Sequence, residues 1–297
     1  MNPILRWLRS GAEKHAPLIV REEGSRSVMP DVEEFPDVPY CTGDGTPLLA
    51  DVYRPVRTSP GQKLPAAIMV HGGGLFAGNR KINRVFCEKL AQRAFLVFSL
   101  EYRLIDETNA CGAITDVCSG LDLVRDAIER YGGDFSRVCL IGESAGAFLS
   151  LYAAALSRSD VLSQAIGCIQ PGLRPTALVC LSGMLYTAGT NAVGMVYKKD
   201  LYGDRRRDSA FMELMNPEHP QVLDALPPVL LTSSRGDFLR SHTLKYAKAL
   251  ERAGHPCELL YYAEGNALGH AFPSLSPSLP ESEEVMEKLV AWFNALN

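Results

Sequence analysis

No stretch of this chain approaches the roughly 18 consecutive apolar residues of a membrane-spanning helix, so no membrane span is expected. The first residues, MNPILRWLRSGAEKHAPLIV, break their apolar positions with Arg6, Arg9, Glu13 and Lys14 and lack the continuous apolar core of a signal peptide. A basic excess is lacking too, since 30 Lys+Arg stand against 34 Asp+Glu for a net charge of −4. That leaves no field to draw in nucleic acid and no polybasic anchor for a lipid surface. The 8 cysteines contain no CxxC pair. Cys139 and Cys180 lie inside apolar runs that read as buried strands, and a reduced, cytoplasmic protein is the simpler expectation. The 6 histidines are scattered, none at metal-ligand spacing from a Cys or another His. Neither a metal nor an organic cofactor is expected.

What the chain does have is alternation. From about residue 38 onward, short apolar runs alternate with helix-length amphipathic segments, the pattern of a mainly parallel sheet covered on both faces by helices. Val38 to Thr42 and Leu48 to Tyr53 flank Gly43-Asp44-Gly45 and read as an opening antiparallel hairpin. Ala66 to Val70, Phe95 to Leu100, Val138 to Ile141, Ala177 to Leu181, Val229 to Thr232 and Glu258 to Tyr262 follow as strands, each apolar on both alternations as if fully buried. Between them, Ile114 to Tyr131 places Val117, Leu121, Val124 and Ile128 at helical spacing toward the sheet. Thr243 to Arg252 and a closing helix from Glu284 to Leu296 follow, the latter docking through Val285, Leu289 and Trp292.

The length, 297 residues, suits one α/β domain with local insertions. Two stretches break the alternation: residues 1–36 before the first strand, and residues 184–226, too long for an ordinary loop between strands. Both are expected to roof the site as a cap, with surface decoration as the alternative. In that cap Tyr186, Met195, Tyr197, Phe211 and Met212 are either pocket-lining residues or anchors to the core. Arg205-Arg206-Arg207 reads most simply as a solvated turn, with a site for an acidic substrate as the alternative.

Gly142-Glu143-Ser144-Ala145-Gly146 follows an apolar strand and opens a helix-like run, Ala147 to Leu156. This is the context in which G-x-S-x-G is a nucleophile elbow, a sharp turn that projects the serine hydroxyl at the carboxyl edge of a sheet. The first N–H groups of the following helix have no intrahelical partner and favour a developing oxyanion. The competing reading is a chance Gly-Ser turn capping a helix. His71-Gly72-Gly73-Gly74 directly follows the strand Ala66 to Val70, and consecutive glycines let backbone N–H groups converge on one point. A phosphate nest is the alternative, but the Lys and Ser/Thr of a P-loop are missing, as is GxGxxG spacing.

The pairing of HGGG with GESAG, with Glu101-Tyr102-Arg103-Leu104 between them, resembles the hormone-sensitive-lipase-like carboxylesterase branch of the α/β-hydrolase superfamily, over nearly the whole chain from about residue 40. The resemblance implies an α/β-hydrolase fold with an eight-stranded, mainly parallel sheet and a small helical cap. It also implies that Gly73, Gly74 and Ala145 supply the oxyanion-hole N–H groups and that His71 is structural. Two departures stand out: Ile105-Asp106-Glu107 follows Y-R-L where a proline is common, and the elbow reads G-E-S-A-G-A, not G-D-S-A-G-G. The segment Gly265 to Gly269 is also longer than the family's usual approach to its histidine. None of these removes a reacting atom.

A serine hydroxyl is a weak nucleophile at neutral pH and needs a base within hydrogen-bond reach, itself oriented by a third group. In the order Ser, acid, His that this fold uses, His270 is the expected base, because the loop Glu264 to Gly269 brings it off the last strand. His219 lies between prolines in the insertion, and His242 and His255 flank a helix and read as exposed or capping groups. Asp237 is the expected acid: it lies just past the strand Val229 to Thr232, and Gly236 to Arg240 resembles the family's D-x-L-R segment. The competing acids Asp204 and Glu264 do not directly follow a core strand.

The expected enzyme is a serine carboxylesterase cleaving small-molecule esters with short acyl chains through an acyl-serine intermediate. Acetyl or feruloyl esterase action on plant-polysaccharide fragments, an amidase or peptidase of the prolyl-oligopeptidase type, and a non-catalytic ligand-binding receptor on a hydrolase scaffold are the alternatives. A homodimer is left open.

Overall fold

The order of strands decides where chemistry can sit. A computed structural model describes residues 1–10, 28–59, 61–264 and 268–296. Among these, eight strands form one sheet: β1 (Val32–Cys41), β2 (Pro47–Pro55), β3 (Leu64–Val70), β4 (Leu96–Leu100), β5 (Gly133–Glu143), β6 (Ala177–Leu181), β7 (Val229–Ser234) and β8 (Cys257–Tyr262). Their spatial order is β1-β2-β4-β3-β5-β6-β7-β8. β2 is antiparallel to both of its neighbours, and every later pairing is parallel. The chain leaves β3 toward β4 on one side and then returns to lay β5 on the other. Such a reversal opens a crevice beyond the carboxyl ends of β3 and β5, which is where open α/β sheets bind ligands.

The helices are α1 (residues 3–10), α2 (Arg84–Gln92), α3 (Ala110–Ala127), α4 (Ala145–Leu156), α5 (Asp160–Ile166), α6 (Ala192–Tyr202), α7 (Ser209–Leu214), α8 (Pro220–Leu223), α9 (Arg240–Arg252), α10 (Phe272–Leu275) and α11 (Pro280–Ala295). The mainly parallel sheet with helices on both faces is the architecture expected from the alternation. Period-two burial runs through the central strands: Ala66, Ile68 and Val70 of β3 pack in the core layer of α3 and α4, while Ala67 and Met69 face α2 and α11. Residues buried on both sides explain why these runs are continuously apolar.

α3 starts where the Asn109 side chain accepts a hydrogen bond from the Gly112 N–H at 3.1 Å. Its Val117, Leu121 and Val124, with Ile128 in the 3₁₀ turn that continues it, are fully buried. In α11, Val285, Leu289 and Phe293 fall four residues apart and are fully buried. Trp292, expected to dock, is only half-buried against the same cluster, because Phe293 continues the four-residue stripe. Burying such a phenylalanine contributes about 2–3 kcal/mol.

One expectation about the strands changes. β8 is an edge strand whose only well-buried residue is Leu260; Cys257, Glu258 and Leu259 are exposed. Its apolar run reflects pairing to β7, not burial on both faces.

Residues between β6 and β7 carry α6, the 3₁₀ turn Gly203–Arg207, α7 and α8. α1 docks on α6: the Asn2 side chain donates to the Val196 carbonyl at 2.7 Å and to Asp200 at 2.8 Å, and Leu5 is fully buried. The remainder of the N-terminal stretch expected to join the cap, residues 11–27, lies outside the described residues. No helix among the described residues is long and apolar enough to cross a membrane.

Candidate active site

Register brings the two glycine motifs side by side, since Val70 at the end of β3 pairs with Gly142 at the end of β5. The elbow then turns into α4 so closely that a Cβ at Gly146 would sit 2.2 Å from the Val70 carbonyl oxygen, so no larger residue fits. Ser144 takes the strain of the turn, with φ 52° and ψ −112°. A non-glycine residue held there costs on the order of 1–3 kcal/mol, and the surroundings must enforce it. They do so through β6: the Ser144 N–H donates to the Leu181 carbonyl at 2.8 Å, and the Met184 N–H donates to the Ser144 carbonyl at 2.8 Å.

The Ser144 hydroxyl oxygen lies 2.8 Å from His270 Nε2, and His270 Nδ1 lies 2.7 Å from Asp237 Oδ1. The structure therefore brings the three expected residues into one hydrogen-bonded line. A carboxylate can only accept, so its partner Nδ1 carries the imidazole proton, and Nε2 is left to accept from the serine. Asp237 is fully buried. Burial alone would raise its carboxyl, but the hydrogen bond from His270, the Ser233 hydroxyl at 2.7 Å and the Leu239 N–H at 2.8 Å outweigh it and hold the group below its ordinary value. The contributions of Ser233 and Leu239 were not read from the sequence, where only their closeness to Asp237 marks them. Ala271 is pinned by its N–H to the Ser182 hydroxyl at 3.0 Å, and the Phe238 ring lies 4.2 Å from the His270 ring.

The N–H groups of Gly73, Gly74 and Ala145 have no protein acceptor among the described residues, and Gly73 and Gly74 line the same cavity as Ser144. Gly73 adopts φ +98°, and a Cβ there would meet the Ala77 carbonyl oxygen at 2.0 Å, so the loop's path requires glycine. The side chain of Glu143 braces the same loop from the elbow, accepting from the Gly72 N–H at 3.1 Å and from Asn83 Nδ2 at 3.1 Å.

The Glu101-Tyr102-Arg103 segment now has a physical role. The Tyr102 hydroxyl donates to the carbonyl oxygens of His71 at 3.0 Å and Gly72 at 3.2 Å, and its ring stacks on His71 at 4.2 Å. His71 is fully buried, with Nε2 3.2 Å from Glu101. Burial works to raise the Glu101 carboxyl, yet the His71 hydrogen bond and the Arg80 guanidinium hold it below its ordinary value. Arg103 ties the segment to Asp116 at 2.7 Å and to Asp44 at 2.8 Å. The glycine loop is thus bolted from one side.

Over this floor lies a cavity of about 440 Å³. Leu8, Phe76, Met184, Val193, Val196, Tyr197, Phe238, Leu239 and Leu275 give it apolar walls, and Ser144 and His270 open into it. Of the five cap residues singled out, only Tyr197 lines this cavity. Met195 is 73% exposed, Phe211 is buried against Tyr202, and Tyr186 and Met212 line a separate hollow with Lys245. The Arg205-Arg206-Arg207 turn has no buried residue, with Arg207 exposed and Arg205 and Arg206 half-exposed, and the Arg205 guanidinium lies 3.6 Å over the Phe211 ring.

The other titratable candidates lie elsewhere. Asp204 and Glu264 are exposed, and Gly265, Asn266 and Ala267 of the loop before His270 lie outside the described residues. His219 caps α8, accepting from the Gln221 N–H, and His255 contacts the Pro227 carbonyl oxygen at 2.9 Å. His242, expected to be exposed or capping, is instead buried behind the cap: the Tyr186 N–H donates to its Nδ1 at 3.3 Å. Among the described residues no group of His, Cys, Asp and Glu is arranged to hold a metal ion.

Burial, then the nearby Lys245 charge, brings the His242 pKa from 6.5 down to about 4. A depressed histidine favours the neutral form in the folded state, so the unfolded chain takes up its proton first. Stability from this group is complete above 6.5 and is lost as pH falls from 6.5 toward 4, a loss of about 3 kcal/mol. His242→Gln, which keeps an acceptor for Tyr186, should flatten the fall of unfolding temperature across that window. An unchanged acid profile would mean that another group controls it.

An elbow serine in line with histidine and aspartate, on this sheet, is the arrangement of an α/β hydrolase. The chain belongs to the α/β-hydrolase fold family, whose model matches residues 67–274. It is 28% identical to the carboxylic ester hydrolase LipN of Mycobacterium tuberculosis over 245 residues, 75% of this chain and 61% of LipN. It is 25% identical over 228 residues to a probable isoprenylcysteine alpha-carbonyl methylesterase, ICMEL1, of Arabidopsis thaliana, covering 71% of this chain and 46% of that one. The chain therefore spans about half to three-fifths of the length of these curated relatives. In structure it is similar to esterase B of Lactobacillus rhamnosis, with a TM-score of 0.85 and 24% identity over 98% of this chain and 94% of that one.

Proposed function

We propose that this protein is a serine carboxylesterase that hydrolyses small, short-acyl carboxylic esters through an acyl-serine intermediate. The observation that carries the reading is the line Ser144 Oγ to His270 Nε2 to Asp237 on the floor of an apolar cavity. The names of LipN and ICMEL1, both ester hydrolases, support the reaction class. An esterase B structure inhibited with a tributyrin phosphonate supports short acyl groups in the cavity.

In the proposed cycle Ser144 Oγ attacks the ester carbonyl carbon while His270 Nε2 takes its proton. The carbonyl oxygen, now negative, receives the N–H groups of Gly73, Gly74 and Ala145, which have no other acceptor to give up. His270 then protonates the leaving alcohol. Water, deprotonated by the same nitrogen, attacks the acyl-serine, and the acid leaves. Asp237 stays ionised throughout and stabilises the imidazolium. Few polar groups other than the reacting ones line the walls, which favours an apolar acyl or alcohol portion over a sugar.

An alkyl fluorophosphonate tests the route and a p-nitrophenyl ester series tests the substrate class. The expected result is one phosphonyl label, mapped to Ser144 by mass spectrometry, and kcat/KM highest among acetate to hexanoate and declining toward laurate. A folded protein that takes no label and turns over no ester would remove the proposal. Rising kcat/KM up to laurate would keep the route and overturn the short-acyl preference.

A further inference from the structure

Away from the cavity, three side chains from separate parts of the fold meet where α3 begins. Cys111, in the first turn of α3, is half-buried, and Cys168, just after α5, is buried. The Cys168 thiol donates to the Cys111 carbonyl oxygen at 3.5 Å. Arg205 reaches them from the segment between β6 and β7. Its Nη1 donates to Cys111 Sγ at 3.5 Å and to the Ile166 carbonyl, and its Nη2 donates to the Ala165 carbonyl at 3.3 Å. Stacking on Phe211 holds the guanidinium in place. The neighbouring Arg206 and Arg207 face Asp204 at 3.6 and 3.5 Å, whereas Arg205 has no carboxylate partner among the described residues and faces sulfur instead.

We infer that Cys111 and Cys168 are a redox-active dithiol, oxidised to an intramolecular disulfide by low-molecular-weight disulfides, with Cys111 as attacking thiolate and Cys168 as resolving thiol. A cation beside a partly accessible thiol, with a second thiol in contact, is the environment in which cysteine is selectively reactive. The Cys168 sulfur already lies 3.5 Å from the Cys111 carbonyl oxygen, which sets the two side chains beside each other. The Cys168 hydrogen bond and the Arg205 charge bring the Cys111 thiol down to about 7 against the opposing effect of burial. The same hydrogen bond, then burial, pushes Cys168 up, which keeps it protonated until its turn. Burial also raises Cys118, Cys139 and Cys180.

With oxidised glutathione as the oxidant, the Cys111 thiolate attacks one glutathione sulfur. A mixed disulfide forms and a glutathione thiolate leaves. Cys168 sulfur then attacks Cys111 sulfur, its proton passing to solvent, and the second glutathione thiolate leaves. In sum two protein thiols become one disulfide and one oxidised glutathione becomes two reduced ones. The step removes the negative sulfur that Arg205 faces and so weakens the hold of Arg205 on the core.

The test is incubation of the native protein with oxidised glutathione near neutral pH, followed by peptide mapping. The expected result is a Cys111–Cys168 linked peptide. Cys168→Ser should stop at a glutathione adduct on Cys111, and Cys111→Ser should leave Cys168 reduced. Arg205→Gln should slow the reaction at neutral pH by about tenfold, with the rate recovering at higher pH as the thiolate forms unaided. Glutathione on the exposed Cys41 or Cys257 with Cys111 and Cys168 still reduced would overturn the inference, as would an Arg205→Gln rate equal to that of the native protein.

Discussion

Replacing Ser144 by alanine should lower kcat by on the order of 10⁵- to 10⁶-fold and abolish fluorophosphonate labelling, while the protein stays folded. The size of the effect follows from the chemistry. Without the hydroxyl there is no acyl-enzyme, and His270, its Nε2 now unpartnered, can at best activate a water that nothing positions. Residual rate comes from the oxyanion N–H groups and substrate binding alone. A second substitution separates catalysis from strain. At φ 52° a side chain is unfavourable, so Ser144→Gly should be as inactive as Ser144→Ala yet more stable by about 1 kcal/mol. Turnover of p-nitrophenyl butyrate, intact-mass labelling and thermal unfolding read all three quantities. Substantial turnover by either variant would show that the nucleophile is another residue.

Asp237→Asn is expected to cost about 10⁴-fold in kcat with little change in binding. The asparagine amide cannot hold the proton on His270 Nδ1 as a carboxylate does, and the tautomer that places a proton on Nε2 can no longer accept from Ser144. This substitution also carries a pH signature. The Asp237 carboxyl lies below its ordinary value of 3.8 in the folded protein. Its contribution to stability is therefore fully present above that ordinary value and is lost as pH falls through the lower folded one. Thermal unfolding of native protein and variant should converge on acidification below about pH 4. Parallel unfolding curves down to strong acid would contradict the depressed carboxyl, and full activity in Asp237→Asn would contradict its orienting role.

Much of this architecture is legible in the sequence. The apolar runs from Ala66 to Val70 and from Val138 to Ile141 are strands because residues apolar on both alternations suit a two-faced interior, and the spacing of Val117, Leu121 and Val124 suits a helix on that sheet. The motif glycines mark their turns for a steric reason: a Cβ at Gly146 or Gly73 would collide with a backbone carbonyl oxygen. Close approach and forbidden φ leave marks in residue type. Trp292 and Phe293 show the limit, because adjacent aromatics at the edge of a helical stripe differ by one step of rotation that a pattern does not resolve.

Sequence by itself therefore determined the core strands, the longest helices on the sheet, the glycine turn at Ser144 and the chain order of Ser144, Asp237 and His270, because each is encoded locally by period, by glycine or by position after a strand. Only the tertiary structure decided the rest. It chose Tyr197 and not Met195 as the cavity wall, put His242 in the interior, set Ser233 and the Leu239 N–H on Asp237, and brought Arg205 to Cys111. These are contacts between segments far apart in the chain, governed by how the insertion lies on the core. No local spacing records that, since a residue facing in and its neighbour facing out carry the same local signal until the partner surface is in place.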